Sequence, residues 1–174
     1  MIRKARYEDI DDIMKCIDDA RIFLKNSGST QWNGPLGYPN VKIFDEDIKH
    51  ENCYVYVDDL NQVVAVIVYE YNELEYEKEN PNAKWISNTN KYLTIHRIAV
   101  RDFARGKGYA KALMLYAEEI CKERKLDSIR IDTHPKNNVL KNLVLSIGYT
   151  YCGSIIYSRI PVEPERIIFE KIIK

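Results

Sequence analysis

Long hydrophobic runs are missing from this chain. The longest, Val63-Val64-Ala65-Val66-Ile67-Val68, falls far short of the ~20 residues a membrane-spanning helix needs, so no span is expected. An excess of one charge is missing too. The 26 Lys and Arg offset the 26 Asp and Glu, giving a formal net charge of +0. That balance gives no electrostatic reason to expect nucleic acid or an anionic membrane as partner. Cysteine is sparse: Cys16, Cys53, Cys121 and Cys152 are scattered, form no C-x-x-C pair, and each lies in an apolar pattern. They read as buried free thiols in a reducing cytoplasm, not as a disulfide framework or a zinc site. His50, His96 and His134 are too far apart for a local metal motif, and no metal is expected. Met1 to Tyr7 has basic residues with no apolar segment behind them, so no secretory signal is expected.

What is present is ordinary for a soluble domain: 45% apolar and 30% charged residues over 174 positions, read as one domain spanning 1–174. Lys4 to Tyr7 reads as the end of a first strand. Glu8 to Asn26 has apolar residues at helical spacing, with Gly28 placed as a stop. Ser29 to Asn40 is a loop rich in Gly, Pro, Ser and Asn that also holds Trp32 and Tyr38. A short helix follows over Val41 to Lys49. Cys53 to Val57 and Gln62 to Tyr71 form a hairpin about the turn residues Asp58 to Asn61. Asn72 to Lys91 reads as a long loop, and Tyr92 to Val100 as a strand. Helix is expected over Gly106 to Arg124 and Asn138 to Ile147, with a strand over Ser128 to Asp132 between them. Tyr149 to Tyr157 and Arg166 to Ile173 close the chain as strands. The order is β-α-α-β-β-β-α-β-α-β-β.

The chemistry lies where the Tyr92–Val100 strand ends. Arg101 to Arg105 turn the chain, and Gly106-Lys107-Gly108 opens the next helix. The first N–H groups of a helix have no internal partner, and the helix dipole adds partial positive charge at the same end. Gly106 and Gly108 let a ligand approach the backbone, and Arg105 and Lys107 add full charges. The segment suits a phosphate or pyrophosphate. It is not a dinucleotide fingerprint, since Lys111 stands where the third glycine would be. It is not a P-loop either, for no glycine lies five residues before Gly106-Lys107.

Arg105-Gly106-Lys107-Gly108-Tyr109-Ala110 resembles the [QR]-x-x-G-x-[GA] signature of the GNAT superfamily of acetyl-CoA-dependent N-acetyltransferases. Asn137, eleven residues before Gly148-Tyr149, resembles the family's second conserved segment. The element order is similar as well. The resemblance implies a GNAT-type α/β fold: a mixed, mostly antiparallel sheet of six or seven strands flanked by about four helices. It also implies acetyl-CoA as cofactor. Backbone N–H groups from Arg105 to Ala110 would bind its pyrophosphate, with Gly106, Lys107, Gly108 and Tyr109 inside that turn. Ile98, Ala99 and Val100 would pair with the pantetheine arm, and an N–H near Ala99 would face the thioester oxygen of a tetrahedral intermediate. Asn137 would contact the cofactor, cap a helix, or do both. Members of the family pair through C-terminal strands, which by analogy makes the last two strands candidates for a homodimer contact.

The resemblance implies that a primary amine of a small molecule accepts the acetyl group by direct attack. Protein or peptide N-acetylation and a non-catalytic acyl-CoA-binding module are the alternatives. Two residues compete as general base. His96, of a residue type that exchanges protons near neutrality, shares a strand side with Ile98 and Val100 by period-two alternation. Glu70 ends the preceding strand. Arg97 should face the other way as a structural residue, while His134 lies near the sulfur or only shapes its turn. The family's usual tyrosine acid is absent, because position 144 is Val144. Tyr149, Tyr151 or Tyr157 could take its place or simply pack in the sheet. Trp32 and Tyr38 would wall the acceptor pocket or cover the sheet edge. The five Glu and one Lys of Glu70 to Glu79 form either an acidic rim for a cationic amine or a solvated loop.

Overall fold

The structure, a computed structural model, describes residues 1–173. Strands β1 (Ile2–Lys4), β2 (Cys53–Val57), β3 (Val63–Tyr71), β4 (Tyr92–Val100), β5 (Ser128–Thr133), β6 (Thr150–Ile156) and β7 (Glu165–Ile172) form one sheet in the order β1-β2-β3-β4-β5-β7-β6. The β1–β2, β2–β3, β5–β7 and β6–β7 ladders are antiparallel, and β4–β5 is parallel. The helices are α1 (Ile10–Asn26), α2 (Val41–Lys49), α3 (Leu74–Glu77), α4 (Tyr109–Arg124) and α5 (Asn138–Ser146). The mixed α/β architecture is the one expected. No helix among the described residues is long and apolar enough to cross a membrane. All four cysteines are buried and free.

By contact density the chain divides into two compact units. One joins Met1–Tyr69 to His96–Leu115; the other joins Glu70–Ile95 to the remainder from Tyr116. In the first unit α1 buries Ile13, Cys16, Ile17, Ala20 and Leu24, the stripe its spacing dictates. Asn40 starts α2 by accepting the Ile43 N–H at 3.2 Å. Phe44 and Ile48 of α2 then join Ile13 and Ile17 over Val55, Val57, Val66 and Val68. Full burial of each such side chain contributes about 1.5–3 kcal/mol.

In the second unit β5 pairs with β7 from Ser128↔Ile172 to Thr133↔Ile167. The segment after α3 folds over this sheet and packs Trp85 with Tyr76, Tyr92, Tyr157 and Ile168. Buried Glu170 holds the segment down. It accepts hydrogen bonds from the Ile86 N–H (2.6 Å), the Ser87 N–H (3.1 Å) and the Ser87 hydroxyl (2.6 Å). Ser128 (2.8 Å) and Arg130 (3.0 Å) also donate to it. Where the loop crosses β6 the fit is tight: a Cβ on Gly153 (φ 101°) would lie 1.9 Å from the Asn82 carbonyl oxygen.

Three local expectations change. The first strand stops at Lys4, and Tyr7–Asp9 is a 3-10 turn in which Asp9 accepts from the Arg6 N–H at 2.7 Å. The Asn72–Lys91 loop contains the one-turn helix α3, capped by the Glu73 side chain at the Glu75 N–H. Helix α4 begins at Tyr109, because φ values of 76° at Gly106 and 85° at Gly108 lie outside the helical range. The glycines form the turn before the helix. Within β4, Arg97 has an unexpected φ of 49°. Burial still alternates through it, with Arg97 and Ala99 buried and His96, Ile98 and Val100 half-buried, the pattern expected if those three share a side.

Candidate active site

The turn from Arg101 to Gly108 is anchored on α1. Asp19 Oδ2 accepts the Asp102 N–H at 2.9 Å and Arg101 Nε at 2.8 Å. The Asp19 carbonyl accepts an Arg105 guanidinium nitrogen at 2.7 Å, and the guanidinium stacks over the Phe23 ring at 4.7 Å. Arg105 also reaches Asp102 at 2.5 Å, and its N–H donates to the Asp102 carbonyl at 3.3 Å. Arg105 therefore folds the turn with its side chain. Burial pushes the Asp19 carboxyl up, but the Asp102 N–H and Arg101 outweigh it and hold it below its ordinary value.

From Gly106 onward the turn is exposed. The first helical bond runs from the Ala112 N–H to the Gly108 carbonyl at 2.9 Å. The N–H groups of Gly108, Tyr109, Ala110 and Lys111 therefore precede any intrahelical acceptor. A Cβ at Gly106 or Gly108 would meet no atom within 4 Å, so both glycines border open space. Tyr109 packs its ring 4.5 Å from that of Tyr56. Upstream, the Arg101 N–H bonds the Val64 carbonyl at 2.9 Å, which fixes the end of β4 against β3. Ile98 to Val100 follow the Arg97 bend. This exposed run of amide hydrogens at a helix start fits a pyrophosphate.

The other candidates fall in separate places. His96 is half-buried on β4, with Nε2 closed off from solvent. Trp32 lines an open groove of about 600 Å³ with Met14, Arg21, Asn33, Asn40 and Lys42. Arg21 straps that loop by donating to the carbonyls of Trp32 (3.2 Å) and Pro39 (2.5 Å). Tyr38 instead accepts from Arg97 at 2.8 Å. In the second unit, half-buried Glu70 has a carboxylate oxygen within 4.8 Å of one on Glu73. The acidic run is less solvated than its composition suggests, for Glu73 and Glu75 are buried.

Asn137 uses both ends of its amide. Its oxygen caps α5 at the Leu140 N–H (3.2 Å), and its nitrogen donates to Thr133 Oγ1 (3.1 Å). His134 is buried and accepts the Lys136 N–H at Nδ1 (3.1 Å), so in the neutral ring Nε2 donates to Glu163 (3.1 Å). Val144 is fully buried. Among the tyrosines raised as its replacement, Tyr151 is exposed, and the buried Tyr149 hydroxyl has no hydrogen-bond partner among the described residues. Tyr157 donates to Asp132 Oδ2 at 2.7 Å, and Tyr76 donates to the same oxygen at 2.6 Å. Burial and the Asp132 charge push both phenols well up, which keeps them protonated donors. Sequence reasoning missed Tyr76, Asp132 and Asp19. Asp132 shares its strand side with Ser128 and Arg130, and Asp19 lies beside Asp18 on α1, so neither stood out from its neighbours.

A mixed sheet with a bent fourth strand, and a glycine turn feeding the helix behind it, is an acetyltransferase architecture. The sequence profile described as acetyltransferase (GNAT) family matches residues 22–149, and the chain belongs to that family. A GNAT-family acetyltransferase of Streptococcus agalactiae 2603 superposes with TM-score 0.86 at 31% identity, over 100% of this chain and 95% of that one. The uncharacterized N-acetyltransferase YesJ of Bacillus subtilis (strain 168) is 23% identical over 151 residues, 86% of this chain and 81% of its own. The NatC complex bound to Gag peptide and CoA shares the fold, with TM-score 0.68 at 18% identity, over 100% of this chain and 98% of that one. The protein is thus an N-acetyltransferase, an acyltransferase enzyme of a fold that binds acetyl-CoA and acts on amine acceptors.

Proposed function

We propose that this chain, working as one domain over 1–174, transfers the acetyl group of acetyl-CoA directly to the primary amine of a small molecule. The observation that carries the cofactor half is the exposed turn at Gly106–Gly108, with the unbonded N–H groups of α4 behind it. These groups, from Gly106 to Ala110, would hold the pyrophosphate, helped by exposed Lys107. Arg105 would serve the turn's shape, and its N–H would stay with Asp102. The amides of Ile98, Ala99 and Val100 would hold the pantetheine arm. Asn137, which caps α5 and holds Thr133, would contact the cofactor. When bound, acetyl-CoA supplies an acetyl group already activated as a thioester.

Deprotonation of the acceptor falls to His96 or Glu70. An ammonium arriving at half-buried Glu70 would find the Glu73 carboxylate within 4.8 Å as well, part of whose charge Arg159 already offsets from 3.5 Å, and this pair favours a small cationic acceptor. A thiolate whose conjugate acid has a pKa of ~8.5 leaves without an obligatory acid, consistent with valine at position 144.

The test begins with calorimetric titration of acetyl-CoA into the wild type and Gly108→Ala, followed by turnover on small amines and on N-terminal peptides. Binding weakened by Gly108→Ala, with turnover of small amines, supports the reading. Turnover of peptides alone would move the chain to protein acetylation, and binding without turnover would make it a non-catalytic module. Loss of turnover in His96→Ala but not in Glu70→Gln would assign the base to His96.

A further inference from the structure

Two costly features of the first unit meet at one guanidinium. Arg97 holds a left-handed backbone in the middle of β4, a conformation that a non-glycine residue adopts only at a cost. Asp47 is a buried carboxylate in the second half of α2, close to the negative end of the helix dipole and between Phe44 and Ile48 on the buried stripe. Each places a charge where an apolar residue would pack. Arg97 Nε donates to Asp47 Oδ2 at 3.0 Å, a terminal nitrogen donates to Oδ1 at 2.8 Å, and the other terminal nitrogen donates to the Tyr38 hydroxyl at 2.8 Å. All three Arg97 nitrogens are thus committed. Buried ion pairs rarely add stability over a packed apolar alternative, and their best-attested role is to specify one arrangement.

What is specified here is particular. The bend falls between His96, a candidate base, and Ile98–Val100, the amides assigned to the pantetheine arm. The third nitrogen reaches the loop that carries Trp32 and Tyr38. Lysine could not replace this arginine, since one ammonium cannot present a planar fork to a carboxylate and a separate donor to a phenol.

We propose that Arg97, held by Asp47, is a positioning residue that sets the bend of the cofactor strand and the seat of Tyr38 together, so that filling the cofactor strand orders the acceptor loop. This rests on the reading of Ile98–Val100 as the cofactor strand. Acetyl-CoA stiffens β4 at the bend, the guanidinium keeps its orientation, and the Tyr38 bond is held more of the time. Tyr38 loses freedom before any acceptor arrives, which lowers the ordering cost that the acceptor would otherwise meet.

Amide hydrogen exchange over residues 29–40, with and without saturating acetyl-CoA, tests this on the full chain alongside the acetyl-CoA dissociation constant. In the wild type, acetyl-CoA should slow exchange there by about fivefold. Tyr38→Phe keeps the ring and removes only the acceptor of the Arg97 bond. It should bind acetyl-CoA within about twofold of wild type yet lose the slowing. Asp47→Asn should lose the slowing and also bind acetyl-CoA about tenfold more weakly. A purely structural ion pair would lower the melting temperature of Asp47→Asn while leaving its acetyl-CoA affinity alone. Slowing retained in Tyr38→Phe, or wild-type affinity in folded Asp47→Asn, overturns the proposal. Should Asp47→Asn not fold, Tyr38→Phe decides by itself. A wild type that binds acetyl-CoA without slowing sinks this link only, whereas a wild type that does not bind it sinks the acetyltransferase assignment of the site and this proposal with it.

Discussion

His134 behaves as a neutral clamp. Burial, together with the charge of Arg166, pulls its pKa below the ordinary histidine value, and Glu163 offsets only part of that. The folded state therefore prefers the unprotonated ring, which accepts from the Lys136 N–H. Its stabilising contribution is fully present above the unfolded value of ~6.5 and is lost as pH falls through the lower folded value. Urea unfolding should show wild-type stability dropping below about pH 6.5, with a shallower drop in His134→Gln. Equal slopes would mean that the imidazole charge is accommodated in the fold.

Two glycines make opposite predictions. Alanine at Gly108 meets open space, so its cost is the left-handed backbone, about 1 kcal/mol, plus the methyl group set where a ligand's phosphate approaches. Acetyl-CoA affinity should fall about tenfold while the melting temperature moves little. Alanine at Gly153 would press on the Asn82 carbonyl and should cost about 3 kcal/mol of stability with no direct effect on the turn at α4. Calorimetric titration and thermal melts on the same two variants separate the roles. A Gly108→Ala protein that binds normally would remove the turn from the site.

At the scale of the element, the turn before α4 is shaped by a carboxylate more than eighty residues upstream. Asp19 satisfies a backbone N–H, an arginine Nε and, through its carbonyl, the Arg105 guanidinium. Asp19→Ala should cost about 2 kcal/mol, as for a lost charge-assisted hydrogen bond, and weaken acetyl-CoA binding by several-fold with little change in the turnover of bound cofactor. Differential scanning calorimetry gives the first figure and titration the second. An unchanged affinity would show that the glycines hold the turn unaided.

The elements themselves were legible where periodicity was strong. The boundaries of α2, β2 and β4 follow directly from their apolar spacing, and α1 departs only at its first turn, where Asp9 turns back to Arg6. Helix α3 was not legible. Its four residues lie in a glutamate-rich stretch without a repeated apolar face, and its cap is a glutamate. The glycine turn was legible because glycine is favoured at positive φ and because a known signature covers it. The Arg97 bend was hidden, because a non-glycine residue with φ 49° looks like any other strand residue until its partners Asp47 and Tyr38 are placed around it. Asp132 was hidden for the same reason: its meaning comes from two phenols at positions 76 and 157.

The whole molecule has a formal net charge of zero, so its response to acid is set by individual carboxyls more than by overall repulsion at neutral pH. Asp9, Asp19 and Glu170 are each pushed up by burial and pulled down further by their donors. For Asp9 these are Arg3 and the Arg6 N–H, for Asp19 the Asp102 N–H and Arg101, and for Glu170 Ser87, Ser128 and Arg130. In all three the folded pKa lies below the unfolded one. Each therefore adds stability that is complete above the unfolded value, ~3.9 for Asp and ~4.3 for Glu, and is lost as pH falls through the folded value. Glu170 should dominate, because it is fully buried and accepts five hydrogen bonds, and because its loss would strand Arg130 in the interior. Glu170→Gln is expected to cost about 3 kcal/mol at pH 7, the penalty for breaking a buried pair. That penalty should shrink steadily below pH ~4, where the wild-type carboxyl becomes protonated and resembles the amide. Chemical denaturation of both proteins from neutral pH down to acid measures the difference directly. A penalty that stays constant with pH would mean that the substituted amide fails by shape, and that the charge on Glu170 does not anchor the loop at Ile86 and Ser87.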